Sequence, residues 1–113
     1  MKESDVILTS IPQADGTKKN RPAIILRELP MYGDFLVCGV STQLQHCLKD
    51  FDEILSPQDP DFKSSGLLSK SLIRLGFLAV LPRASIVGTI GSIEKDRHHR
   101  LLKNLADFLL KNS

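Results

Sequence analysis

The chain has no tryptophan, one tyrosine, five phenylalanines and two cysteines among its 113 residues. Cys38 lies in a strand-like run and Cys47 in a polar segment, and two lone cysteines make neither a disulfide framework nor a zinc site. No apolar run reaches the length of a membrane span, because Arg74, Pro82 or Gly88 interrupts the longest ones. We therefore expect a cytoplasmic protein with reduced thiols, no cleavable leader and no membrane partner.

The chain also has little excess charge of either sign. Fifteen Lys and Arg residues balance thirteen Asp and Glu residues, which leaves a net charge of +2. There is no basic arm of the kind that binds duplex DNA without regard to sequence, so any nucleic-acid contact must come from a local patch. The length and a hydrophobic content of 42% predict one domain, residues 1–113, with a modest core.

Short extended runs come first along the chain and one amphipathic helix comes last, which predicts a mainly β fold: a small barrel with a helix packed on it. The predicted strands are residues 5–11, 21–28, 34–42, 51–55, 71–75, 77–81 and 85–90. Residues 24–26 and 35–38 are apolar at consecutive positions. Such strands are covered on both faces, so we expect a helix or a second subunit outside the sheet.

From about Ile93 the pattern is helical. One apolar face combines Leu101, Leu102, Leu105, Phe108 and Leu109. Ser92 is the predicted N-cap. His98 and His99 are adjacent, so a helix turns them about 100° apart and they cannot share one metal ion. No metal site is predicted.

Arg21 is the first candidate site residue. Pro22 lacks an N–H and holds its predecessor extended, so we expect Arg21 at the first position of an edge strand with its guanidinium outward. A planar five-donor fork suits phosphate, and Lys18 and Lys19 add positive potential. The alternative is an ordinary solvated loop with a salt bridge at the strand edge.

Two further positions carry candidate groups. Side chains alternate on a strand, so only one of Ser41 and Thr42 can face a given cleft; either could equally be a strand terminator. Arg74 interrupts an apolar run, so it must emerge at an edge or enter a polar cleft. Beside Arg21 it would complete an anion-binding surface, with open space left by Gly76. The alternative is an outward-facing arginine on the barrel.

Several motifs, in this order, resemble the MazF/PemK-like toxin family, the ribonuclease halves of type II toxin–antitoxin pairs. They are Asp5-Val6-Ile7-Leu8, Lys19-Asn20-Arg21-Pro22-Ala23-Ile24-Ile25-Leu26, Val37-Cys38-Gly39-Val40-Ser41-Thr42-Gln43, Gly66-Leu67-Leu68 and Ser71-Leu72-Ile73-Arg74-Leu75. The resemblance implies a homodimeric, SH3-like antiparallel barrel with a long C-terminal helix, an architecture shared with the plasmid toxin CcdB. It also implies cleavage of single-stranded RNA at short sequences, without a metal or other cofactor, to leave a cyclic phosphate and a 5′-hydroxyl.

The positions that match the family's catalytic residues are Arg21 and Ser41, with Thr42 the alternative if the register slips by one. Arg74 is retained, but Gly76 stands where some relatives have an acidic residue. Neither Arg21 nor Ser41 titrates near neutral pH, so proton transfer falls to water or to another group. His46, close to the strand end, is the candidate for that group.

The remaining expectations concern partners. Lys18, Lys19, Asn20 and Gln43, with the loop of residues 13–20, are expected to bind RNA. Few aromatic residues are present, so phosphate contacts should dominate and binding should weaken with salt. The resemblance also implies a cognate antitoxin whose acidic tail lies on the same basic surface. The alternative function is a non-catalytic, protein-binding toxin that poisons a topoisomerase, as CcdB does, or an inactivated homologue.

Overall fold

The computed structural model describes residues 1–12 and 14–111. The strands are β1 (Asp5–Pro12), β2 (Lys18–Glu28), β3 (Phe35–Ser41), β4 (Glu53–Leu55), β5 (Ser71–Leu81) and β6 (Ile86–Ser92), and the α-helices are α1 (Phe62–Ser65) and α2 (Lys95–Leu110). All neighbouring strands pair antiparallel, in the order β4-β5-β3-β2-β1-β6. The predicted mainly β, barrel-like fold with a C-terminal helix is confirmed. No helix among the described residues is long and apolar enough to span a membrane.

Apolar clusters lie on both faces of the sheet. On one face Leu101 and Leu105 of α2 pack in a cluster with side chains such as Ile24 and Leu26. On the other face Ile25 packs with residues that include Ile7, Phe35 and Val37. Consecutive apolar residues of β2 therefore enter opposite layers, as their sequence predicts. Cys38 is fully buried in the cluster that contains Leu101 and Leu105, and burial raises the pKa of its thiol to about 12.

The C-terminal helix differs from its predicted form at both ends. Ser92 is the last residue of β6 and is not the N-cap. Glu94 holds that position, and its backbone N–H donates to Asp61 Oδ2 at 3.1 Å. At the other end Phe108 and Leu109 are 58% and 64% exposed and lie beyond the core that the helix covers.

Arg97 connects the start of α2 to β4 and to the segment between β4 and α1. Its guanidinium contacts the carboxylates of Asp61 at 2.8 Å, Glu53 at 2.8 Å and Asp59 at 3.1 Å. Both Arg97 and Asp61 are buried, so each charge depends on the other for compensation. One residue along the helix, His98 Nε2 donates to the carbonyl of Leu26 at 2.8 Å, so this histidine is part of the core.

The structure differs from two of the predicted strands, and both differences affect the site. β2 starts at Lys18, so residues 18–20 belong to a strand and Arg21 is neither the first residue of its strand nor on an edge strand. Residues 71–81 form the single strand β5 in place of two. The predicted break survives as an irregularity, because Cys38 pairs with Leu78 whereas Gly39 pairs with Arg74. Residues 75–77 thus have no partner on β3.

Candidate nucleic-acid site where β2 and β3 separate

The candidate site begins where β2 and β3 stop pairing. Ala23 pairs with Gly39, and beyond this pair the first five residues of β2 pair with β1 alone. Arg21 on β2 and Ser41 on β3 each lie two residues beyond this last pair. Both side chains line one pocket of about 690 Å³, which opens between the separated strands.

Arg74 reaches this pocket from β5, on the other side of β3. It pairs with Gly39, so it is one strand away from Ser41 and displaced by two residues. The irregularity at residues 75–77 also changes the alternation of side chains along β5. As a result Arg74 and Phe77 line the same pocket although they are three residues apart.

The segment after α1 forms the far wall. Gly66 ends α1 with φ +75°, and a Cβ there would collide with the carbonyl of Ile90 on β6. Ser64 Oγ donates to the carbonyl of Ser92 at 3.0 Å, which holds the same segment against β6. These contacts place Leu67, Leu68 and Ser69 along the pocket. Glycine is required here because the two backbones touch and the left-handed conformation disfavours side chains.

The pocket carries positive charge. Its lining combines Leu8, Arg21, Pro22, Gly39, Val40, Ser41, Thr42, Gln43, Gly66, Leu67, Leu68, Ser69, Ser71, Arg74, Phe77 and Ile90. This set contains two guanidinium groups and no carboxylate. Within the described part of the chain, neither Arg21 nor Arg74 forms an ion pair. Two uncompensated guanidinium groups beside hydroxyls suit a phosphodiester.

The Ser41 hydroxyl is fixed by its own strand end. Its oxygen accepts a hydrogen bond from the Gln43 backbone N–H at 3.0 Å. That bond occupies acceptor capacity and leaves the hydroxyl proton available to a ligand oxygen. The Gln43 side chain is turned along the loop, where its oxygen accepts from Gln45 Nε2 at 2.8 Å. Ser41 is therefore placed as a donor to the pocket.

Other predicted site residues lie elsewhere. Lys18, Lys19 and Asn20 are exposed on the hairpin arm formed with the end of β1, and none of them lines the pocket. His46 is exposed on a single 3₁₀ turn after β3 and is also absent from the lining. Gln13, the first residue of the predicted RNA-binding loop, falls outside the described residues.

The expectation about Gly76 is wrong. A Cβ at Gly76 would approach Phe51 at 4.0 Å, and the residue lines a second pocket beside α2. The space left by this glycine is therefore not beside the Arg74 guanidinium. The cause is the irregularity in β5, since the sequence-based argument assumed regular alternation from Arg74 to Gly76.

Sequence reasoning also missed Phe77. It sits in an apolar run and has the appearance of a core residue, yet it is 50% exposed in the pocket. A Cβ on Gly39 would come within 2.8 Å of Phe77 Cδ1, so the ring lies against the bare backbone of β3. A glycine inside an apolar strand is the signal that could have indicated this close approach.

Comparison with known proteins identifies one family. The family described as PemK-like, MazF-like toxin of type II toxin-antitoxin system matches residues 2–109. No curated protein matches the sequence. The matched range includes all six strands, α2 almost to its end, and every residue that lines the pocket.

Proposed function

Because the chain belongs to the PemK-like, MazF-like toxin family of type II toxin–antitoxin systems, we propose that it is a sequence-specific endoribonuclease that cleaves single-stranded RNA without a metal ion. One observation carries the proposal: Arg21 of β2, Ser41 of β3 and Arg74 of β5 line one pocket. The non-catalytic alternative needs no such convergence. It expects its binding residues on the C-terminal helix, away from this pocket.

The proposed reaction is an internal transfer at phosphorus. The ribose 2′-oxygen loses its proton and attacks, the bond from phosphorus to the 5′-oxygen breaks, and that oxygen takes up a proton. The products are a 2′,3′-cyclic phosphate and a 5′-hydroxyl. Charge on the phosphoryl oxygens grows in the transition state, where Arg21 and Arg74 stabilise it more than in the ground state.

Ser41 acts in this scheme by positioning. Its hydroxyl proton is directed to a phosphoryl oxygen, because the Gln43 N–H already engages the Ser41 oxygen. The described residues that line the pocket include no histidine, carboxylate or amine. Proton transfer to and from the ribose oxygens is therefore assigned to water. The alternative candidate is His46, the first histidine after β3 in the sequence.

We also propose RNA contacts outside the pocket and a protein partner on the same surface. Lys18, Lys19 and Asn20 extend the basic surface along the β1–β2 arm, where RNA flanking the scissile bond would run. An antitoxin with an acidic, unfolded tail would be attracted to the same charges and fold on binding. Neutralising Lys18, Lys19 and Arg21 together should weaken antitoxin binding, and unchanged affinity would contradict the shared surface.

A homodimer is the proposed assembly. Leu78, Phe108 and Leu109 are 42%, 58% and 64% exposed around a second pocket of about 770 Å³. Exposed apolar side chains that gather around one pocket are a candidate for contact between subunits. Light scattering should give twice the chain mass of 12.5 kDa, and Phe108→Asp should halve it. A wild-type protein that stays monomeric at high concentration would contradict this proposal.

The test of the ribonuclease proposal uses antitoxin-free protein and a long single-stranded RNA in EDTA. Wild type should cut at discrete sites, and Arg21→Ala should cut about 100- to 1,000-fold more slowly, as expected when a preorganised donor to the transition state is removed. Arg27→Ala is the matched control, because Arg27 is an exposed arginine on the same strand that pairs with Glu3 at 3.3 Å outside the pocket. No cleavage of RNAs of varied sequence would favour the contact-only toxin.

A further inference from the structure

Phe77 differs from the other phenylalanines in its surroundings. Phe35 is fully buried, Phe51 and Phe62 pack against the core, and Phe108 contacts Phe51 at a tilt, with ring centroids 5.0 Å apart. Phe77 is 50% exposed and, within the described residues, has no aromatic partner. Of the described residues that line the pocket it is also the one aromatic, and it accompanies both guanidinium groups there.

The Phe77 ring is supported by the backbone of β3 at Gly39. Residues 75–77 have no partner on β3, and this irregularity brings Phe77 over Gly39, the residue that pairs with Arg74. A Cβ on Gly39 would lie 2.8 Å from Phe77 Cδ1 and 3.3 Å from Cγ, so only a glycine lets the ring approach the strand this closely. The ring is supported by backbone on the side of Gly39 and remains half accessible to the pocket.

An aromatic ring in this setting has a specific use. A phenylalanine stabilises a fold mainly by burying its surface, and half of that stabilisation is forgone here. The exposed ring lies in the same pocket as two guanidinium groups, which suit a phosphate. A nucleotide has both parts, a charged phosphodiester and a base with π-faces, and stacking accepts any base.

We propose that Phe77 is a base-stacking residue of this site, which holds the nucleobase next to the phosphate bound by Arg21 and Arg74. The inference rests on the proposed ribonuclease function, because it assigns one part of the RNA to one part of the same pocket. Phe77 positions the substrate and takes no part in proton transfer. Its loss should weaken RNA binding by about 5- to 150-fold, which corresponds to the stacking of one base.

The absence of tryptophan from the chain allows a direct test. Phe77→Trp introduces a single fluorophore in the pocket, and Tyr32→Trp introduces one at a site outside the pocket that is 82% exposed. Both variants are titrated with a labelled, single-stranded 2′-O-methyl RNA of mixed sequence, which lacks the nucleophile and stays intact. Anisotropy of the label reports binding independently of the tryptophan. A second probe is an abasic backbone of the same length.

The expected result is quenching of the tryptophan in Phe77→Trp by the RNA but not by the abasic backbone, with no change in Tyr32→Trp. Phe77→Leu, with thermal unfolding to establish its fold, should lose 5- to 150-fold in affinity for RNA and none for the abasic backbone. RNA binding that leaves Phe77→Trp unquenched, or that Phe77→Leu matches, would overturn the stacking role alone. Failure of wild type to bind RNA would overturn the proposed function, and the stacking role with it.

Discussion

Arg21 and Ser41 each lie two residues beyond Ala23 and Gly39, the last pair between β2 and β3, and both line one pocket. Arg21 pairs with Thr9 on β1 and Ser41 pairs with Leu72 on β5, so each backbone is held although the two residues do not pair with each other. A phosphodiester held there would meet a guanidinium from one strand and a hydroxyl from the other. The pairing of β2 with β1 and of β3 with β5 therefore fixes where the backbones of the two proposed catalytic residues lie at the pocket.

Gly39→Ala tests how closely the pocket depends on the contact between β3 and Phe77. The new Cβ would require the Phe77 ring to move, because it would lie 2.8 Å from Cδ1. We expect a fall of at least tenfold in RNA cleavage and about 1–3 kcal/mol of lost stability from overpacking. Gly88→Ala is the control, since a Cβ there meets nothing within 4 Å. Equal behaviour of the two variants in cleavage and urea unfolding would contradict the account.

Arg97→Ala tests the attachment of α2 to the segment that leads into the far wall of the pocket. The substitution leaves the buried Asp61 carboxylate without its guanidinium, which costs about 3–5 kcal/mol in comparable cases. Chemical unfolding should show this loss. Lys103→Ala removes the exposed pair with Asp107 and should change the free energy of unfolding by less than about 0.5 kcal/mol. Similar values for the two variants would be evidence against a stabilising cluster.

The same cluster predicts a stability that depends on pH in acid. Burial by itself would raise the pKa of Asp61, but hydrogen bonds from Arg97 and from the Glu94 N–H, together with the charge of Arg97, hold it below its ordinary value of 3.8. A carboxyl with a lowered pKa in the folded state stabilises the protein above its unfolded pKa and loses that contribution as pH falls through the folded pKa. Unfolding measured from pH 7 downward should show a decline below about pH 4 that Asp61→Asn reduces. An identical decline in both proteins would refute this assignment.

Salt dependence tests whether the two arginines bind phosphate. RNA affinity of wild type should fall linearly with salt on logarithmic axes, and Arg74→Ala should make the slope shallower by about 0.7, the value for one contact to a single strand. Lys103→Ala, on the outer face of α2, should leave the slope unchanged. A wild-type slope indistinguishable from zero would contradict RNA binding through phosphate contacts.

Local patterns in the sequence predict much of this fold because the spacing of apolar residues reflects which side chains are buried. The runs at 24–26 and 35–38 enter two cores, and the apolar positions Leu101 and Leu105 face the sheet as their spacing requires. Local patterns fail where a distant residue decides the outcome. The hydrogen bond at the start of α2 is accepted by Asp61, 33 residues before Glu94, and no local pattern indicates it. Local patterns therefore favour Ser92 as the N-cap.

For the site, too, local patterns predict some features and miss others. The motifs around Arg21, Ser41 and Arg74 identify residues that the structure brings into one pocket, but their family roles remain predictions. The positions of Gly76 and Phe77 could not be read from alternation, because the irregular pairing between Arg74 and Leu78 changes which face each occupies.

The most direct test of the central claim is a double-mutant cycle of Arg21→Ala and Ser41→Ala, read as single-turnover cleavage of RNA in EDTA. If the two groups hold one phosphate together, the double variant should be little slower than Arg21→Ala alone, because the second group has lost the geometry it serves. Losses that multiply would show two independent contributions and would contradict a shared phosphate site between β2 and β3.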